Sequence, residues 1–166
     1  LQDERVYQKC RPFVIGSAAA MDDALRLVGA PASTNIAHSL DDVVGQPGAI
    51  DVLDMENLDY GGITYGQVSA AAGKASVEWI LKAGELATSG QIQAIVTAPI
   101  NKEACKLAGY EDIGHSEIFR SQTGVKNVPT MLMAGTLRVV HLTTHHSLRV
   151  ACDHVTLENI LATLKI

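Results

Sequence analysis

The residues best equipped for chemistry in this chain are its six histidines, and they are unevenly placed. His38 stands alone and His115 follows far downstream, whereas His141, His145, His146 and His154 fall within fourteen residues. Imidazole titrates near neutrality and is the commonest ligand of divalent transition metals. The run Thr143-Thr144-His145-His146-Ser147 directly follows a strand-like stretch. Ligands in open α/β sheets bind outside the carboxyl ends of strands, so this run is a predicted functional address. Neighbouring residues of a regular strand point to opposite faces. One of His145 and His146 is therefore the candidate metal ligand, and the other falls to a supporting or surface position.

A second constellation is split between Pro99-Ile100-Asn101-Lys102 and Gly114-His115-Ser116-Glu117. Pro99 breaks a strand and opens a loop at its carboxyl end. Lys102 then stands where an anionic group of a substrate would be welcome. Gly114 lets the backbone turn, and a helix is predicted from Ser116 to about Gln122. Backbone N–H groups at a helix start, a hydroxyl and an imidazole make a corner for an anion or a hydroxyl. The plainer alternative is that Ser116 only caps the helix and His115 is a surface residue.

Several familiar sites are not written here. The sequence holds no G-x-G-x-x-G, no Walker A loop, no G-x-S-x-G elbow and no H-E-x-x-H. Cys10, Cys105 and Cys152 form no C-x-x-C pair, and they read as small, buried, reduced apolar residues. Composition excludes other classes. Of 166 residues, 47% are hydrophobic and 19% charged, which is the balance of an ordered globular chain. The net charge of -5 comes without a Lys/Arg cluster, so a nucleic-acid partner is not expected. No apolar run approaches the roughly 18 residues a membrane helix needs, and the polar start Leu1-Gln2-Asp3-Glu4-Arg5 has no signal-peptide pattern. The expectation is a cytoplasmic protein.

The elements that must position these groups can be read from periodicity. Pro12–Gly16, Thr34–His38, Ile50–Met55 and Ile92–Ala98 read as strands. Ser17 is placed to cap a helix with Met21, Ala24, Leu25 and Val28 on one face. The longest periodic segment runs from Gly66 to Thr88, with Val68, Ala72, Ala75, Trp79, Ala83 and Leu86 along one face and Ser89-Gly90 ending it. Thr130–Ala134 and Leu137–Thr143, joined by Gly135-Thr136, are predicted to form a hairpin. Thr156 suits an N-cap, Glu158 the first turn, and Leu157, Ile160, Leu161 and Leu164 an apolar stripe. That last helix reaches Ile166 without a Gly, a cap or a polar tail, and reads as interrupted. Alternating strands and helices give an α/β fold with a mostly parallel sheet and one hairpin, and no linker sets an internal boundary.

Three of these segments together resemble one family. Ala94-Ile95-Val96-Thr97-Ala98-Pro99-Ile100-Asn101-Lys102 resembles a strand ending in V-T-x-P-[VI]-[HN]-K, and Gly114-His115-Ser116-Glu117-Ile118-Phe119 resembles G-H-T-E-[FI]-[FL]. Thr143-Thr144-His145-His146-Ser147-Leu148-Arg149 resembles T-T-H-x-[PS]-L-R, and the 30-residue step from His115 to His145 also agrees. The chain thus resembles the 4-hydroxythreonine-4-phosphate dehydrogenase (PdxA) family. The resemblance implies a three-layer αβα fold of the isocitrate and isopropylmalate dehydrogenase type, which binds NAD without the Rossmann fingerprint. It implies a homodimer and one divalent metal (Zn, Mg, Mn or Co) held by three histidines, of which His145 matches the first. The motifs of the other two, N-P-H-A-G-E and Y-H-D-Q, do not occur. His115 and Ser116 match substrate contacts, with Ser116 in place of the usual Thr, while Lys102 matches a family position without a firm role. Residues 1–166 then read as the central part of a two-domain dehydrogenase, inactive alone.

The implied reaction is NAD-dependent oxidation, with decarboxylation, of a small phosphorylated hydroxy acid such as 4-phosphohydroxy-L-threonine. Residues 146–156 resemble instead the branch acting on 4-phospho-D-threonate or D-erythronate. A reading of another class is a non-catalytic dimerisation or binding module. Nothing in the sequence assigns the catalytic residues or the NAD contacts.

Overall fold

A computed structural model describes residues 1, 3–111, 114–125, 128–144 and 146–165. The chain divides into two compact units, Leu1–Thr123 and Gly124–Ile166, and each is described by itself.

In the first unit a short helix α1 (Glu4–Tyr7) precedes strand β1 (Val14–Gly16) and helix α2 (Ala18–Val28). Ser17 caps α2 as its sequence position predicts, its hydroxyl accepting from the Ala20 N–H at 3.4 Å. Gly29 ends α2 in the left-handed conformation at φ 62°. The Ala30 N–H then reaches back to the Leu25 carbonyl at 3.0 Å, a Schellman-type closure that glycine makes without strain. Strands β2 (Ser33–Ala37) and β3 (Ala49–Asp54) complete a parallel sheet in the order β1-β3-β2. In register, Val52 faces Val14 on one side and Ile36 on the other. Ala18 and Leu25 of α2 pack on Ile50 and Val52 of β3 to form the first core. The apolar face of α2 is narrower than predicted, because Ala24 and Val28 are exposed.

The central strand carries a buried carboxylate. Asp51 is 1% exposed. It accepts from Asn35 Nδ2 at 2.6 Å, Gly45 N at 2.8 Å and Val44 N at 3.2 Å. Burial alone would raise its carboxyl. The donors from Asn35, Gly45 and Val44, with the charge of Arg11, outweigh that and hold it below the ordinary value of 3.8. One carboxylate thus closes the loop between β2 and β3. At the end of β3, Asp54 accepts from the Ala18 N–H at 2.8 Å and places negative charge at the N-terminus of α2.

Helix α3 (Ala70–Thr88) begins at Ser69, whose hydroxyl accepts from Ala72 N at 3.4 Å. It packs against β1 and against two further helices, α4 (Lys102–Leu107) and α5 (His115–Thr123). Val77 and Ile80 of α3, Cys105 of α4 and Ile118 of α5 make the second core. The predicted strand over 92–98 does not form, and Val96 is 98% exposed. Its sequence has strand propensity, but a strand exists only where a neighbour completes its ladder, and among the described residues it has none. The cysteines also divide differently from expectation: Cys105 is buried, but Cys10 and Cys152 are exposed.

In the second unit, β4 (Met131–Ala134) and β5 (Leu137–Val140) form the predicted antiparallel hairpin, with Ala134 opposite Leu137. Gly135 takes φ 60°, as a two-residue turn demands. Helices α6 (Leu148–His154) and α7 (Leu157–Leu164) follow, and Thr156 caps α7 by accepting from Asn159 N at 3.2 Å. No described residue of this unit is buried. Among the described residues of the whole chain, no helix is long and apolar enough to cross a membrane.

Candidate substrate-binding site

The corner expected around Lys102 and His115 lies in the first unit, and α3 organises it. Asn101 caps α4, its Oδ1 accepting from Ala104 N at 3.0 Å, so Lys102 is the first helical residue. A cation at a helix N-terminus opposes the macrodipole, and helix stability does not explain its presence there. Gly114 is buried just ahead of α5. A Cβ built on it would lie 2.6 Å from Glu117 Oε2 and 3.9 Å from Lys102 Cε, so three parts of the two motifs meet here. A side chain at position 114 would shift the movable end of Glu117 rather than any backbone.

His115 and Ser116 open α5. His115 is half-buried, with its ring centroid 6.5 Å from that of Phe119 and tilted by 39°. Ser116 is exposed in the first turn. The structure thus brings Lys102, Gly114, His115, Ser116 and Glu117 to one corner: a cation, a carboxylate, an imidazole, a hydroxyl and the leading N–H groups of a helix. Such a set can hold an anionic group beside a hydroxyl. The sequence reading left Asn101 and Glu117 without roles. The spacing Asn101-Lys102-Glu103-Ala104, a cap before a helix, was the available signal for the first.

The second unit holds the other histidines. His146 stacks on His154 at 5.2 Å between centroids, and His154 Nδ1 lies 3.0 Å from the Val150 carbonyl. His145, the candidate metal ligand, lies outside the described residues. Among the described residues, no three His, Cys, Asp or Glu side chains converge as a ligand set. Elsewhere in the first unit, an open concavity of about 620 Å³ is lined by residues that include Asp22, Arg26 and Tyr60, and it shares no residue with the corner. Beside it the Tyr60 and Tyr65 hydroxyls donate to Asp23 Oδ2 at 2.8 and 2.7 Å, tying the loop after β3 to α2.

The first unit thus combines a parallel sheet and packed helices, the α/β class, with a polar corner at the starts of two short helices, α4 and α5. The family is also defined. The model of the family described as pyridoxal phosphate biosynthetic protein PdxA matches residues 8–166, and the chain belongs to that family. It is 39% identical over 145 residues to a D-threonate 4-phosphate dehydrogenase of Cupriavidus necator, a match covering 87% of this chain and 43% of that protein. A crystal structure of a 4-hydroxythreonine-4-phosphate dehydrogenase from Burkholderia phymatum superposes with a TM-score of 0.91 at 36% identity, over 99% of this chain and 49% of that one. The enzyme of the same name from Klebsiella pneumoniae gives a TM-score of 0.82 at 31% identity, over 98% and 52%. The chain spans about half the length of the curated relatives it matches.

Proposed function

We propose that the protein to which this chain belongs is an NAD-dependent, divalent-metal-assisted dehydrogenase. It oxidises, with decarboxylation, a small phosphorylated hydroxy acid. The observation that carries the reading is the meeting of Lys102, Gly114 and Glu117 at the start of the helix that bears His115 and Ser116. The family and the names of its relatives support the class. Of the two substrates, 4-phospho-D-threonate (or D-erythronate) is favoured by the printed name of the Cupriavidus relative, and 4-phosphohydroxy-L-threonine by the names of the solved structures.

In this reading Ser116 Oγ and the His115 imidazole hold the substrate's polar groups, and the Lys102 ammonium balances one of its anionic groups. NAD would supply the hydride acceptor for the secondary alcohol, whose O–H proton would pass to solvent or base, and the β-keto acid formed would exchange its carboxylate for a proton as CO2 leaves. Fixing the alcohol carbon is the contribution of this corner, since a bound near-attack geometry removes much of the entropic barrier. The metal assignment rests on His145, by its match to the T-T-H histidine, and the described residues add no converging set. The wider fold is of the isocitrate and isopropylmalate dehydrogenase type, a three-layer αβα with NAD bound outside any G-x-G-x-x-G loop. Residues 1–166 form the central part of two domains.

A homodimer belongs to the same reading. The hairpin leaves Leu132, Leu137 and Val139 on one face and Met131 and Met133 on the other between 42% and 62% exposed, apolar surface of the kind that marks subunit contacts.

The test is NADH formation by the full-length protein with each phosphorylated acid, in the presence of Zn, Mg, Mn or Co in turn. Turnover on one of them is expected. Ser116→Ala should lower its kcat/KM roughly tenfold, the worth of one hydrogen bond. No NADH with any substrate and metal pair removes the dehydrogenase reading.

A further inference from the structure

Helix α3 carries two glycines, Gly73 and Gly84, eleven residues apart. At 3.6 residues per turn that is three turns, so both lie on one face. Each makes room for a different helix. The backbone of α4 at Ala104–Cys105 occupies the place of a side chain at Gly73. At Gly84 the place is taken by the amide of Gln122 from α5.

Gln122 is bound in an unusual way. Its Nε2 donates to the Leu81 carbonyl of α3 at 2.8 Å. Its Oε1 is fully buried and, among the described residues, has no hydrogen-bond partner. Leaving a buried amide oxygen unsatisfied is unfavourable, and a surface glutamine could avoid it by turning out to water. Packing alone would be better served by an apolar side chain of the same length. The amide therefore fixes something that packing does not.

What it fixes follows from the helix. His115, Ile118, Phe119 and Gln122 stand at i, i+3, i+4 and i+7, one stripe of α5. Ile118, 2% exposed, anchors the middle of that stripe in the second core. Apolar contacts of this kind tolerate sliding and rotation. A directional bond to one carbonyl, in a notch the width of a glycine, does not. We propose that Gln122, seated on Gly84, is a positioning residue that sets the register of α5 on α3, and with it the placement of His115 and Ser116 at the other end of the helix. The proposal rests on the reading of those two residues as substrate contacts.

The experiment uses the full-length protein with Gln122→Met, which keeps side-chain length and removes the bond. Gly84→Ala, which evicts the amide, and the double variant Gly84→Ala/Gln122→Ala complete the set. Each single variant is expected to lower kcat/KM for the phosphorylated acid roughly ten- to hundredfold, with KM for NAD unchanged. The double variant should fall no further than Gly84→Ala alone, because both changes break one contact. The His115 imidazole resonance, assigned by His115→Gln, should shift in both single variants. Loss of melting temperature with unchanged kinetics and an unmoved His115 resonance overturns the proposal and leaves Gln122 a packing residue. If the wild type turns over neither acid, the dehydrogenase reading falls, and the His115 resonance still decides whether Gln122 places that ring.

Discussion

The parallel sheet β1-β3-β2 and the hairpin β4-β5 are built from the same kinds of residue and reach opposite ends of the burial scale. In β3, Val52 is 0% and Ile50 5% exposed, because α2 lies across them. In the hairpin, Leu132 is 54% and Met133 62% exposed, although its register and turn are regular. The contrast separates two things that an apolar strand requires. Alternation and turn chemistry make a strand pair. Burial depends on a second layer, which the first unit supplies from its own chain. The unburied apolar residues of the hairpin are what supports the reading of a subunit contact.

The largest effects should fall in the first unit. Ile118→Ala empties the centre of the second core and should cost roughly 2–5 kcal/mol in urea unfolding. A loss below about 1 kcal/mol would show that α5 is not held as the structure has it. Gly73→Ala pushes a methyl into the backbone of α4 and should cost about 1–3 kcal/mol. It should exceed Gly84→Ala, where the obstacle is the movable end of a side chain. The reverse order in thermal melts would break the account of the two glycines.

Asp51→Asn sharpens the comparison within β3. The amide keeps one acceptor oxygen but turns an NH2 toward the remaining donors, at a cost of about 1–3 kcal/mol. Its pH dependence has a definite sign. The folded carboxyl titrates below its ordinary value of 3.8, so its stabilisation is complete above that value and is lost as pH falls through the folded one. Urea midpoints compared at neutral and strongly acid pH should show a smaller acid loss for Asp51→Asn than for the wild type. Equal losses would remove Asp51 from the account. The smallest effect is expected in the hairpin, where Leu132→Ala should stay within about 0.5 kcal/mol for the isolated, dilute chain. A loss above about 2 kcal/mol there would show that Leu132 is buried in solution.

Much of the fold was legible because its signals are local. Ser17 and Thr156 cap the helices that follow them, and Gly135 makes the hairpin turn, whereas α3 starts at Ala70 behind the Ser69 cap rather than at Gly66. Each of these depends on groups a few residues apart. The segment 92–98 has strand propensity but forms no strand for the opposite reason, since a ladder needs a partner distant in sequence. Helices α4 and α6 are too short to show a periodic stripe, and α4 is held by the Asn101 cap and by Cys105 in the second core. The site was partly legible. Lys102, His115 and Ser116 stand out by type and motif, but their meeting at Gly114 depends on two helices docking on a third. Asp51 was invisible as a buried charge, because its donors come from residues 35, 44 and 45 across a sheet and a loop.

By itself, then, the sequence determined the α/β alternation, the caps, the hairpin turn and the motif residues His115, Ser116 and His145. These are matters of local propensity, spacing and side-chain chemistry. The tertiary structure alone decided which apolar residues are buried, that Gly73 and Gly84 receive α4 and Gln122, and that Lys102 reaches the start of α5. Those are contacts between segments tens of residues apart, and steric fit between packed helices is written in no single stretch of the chain.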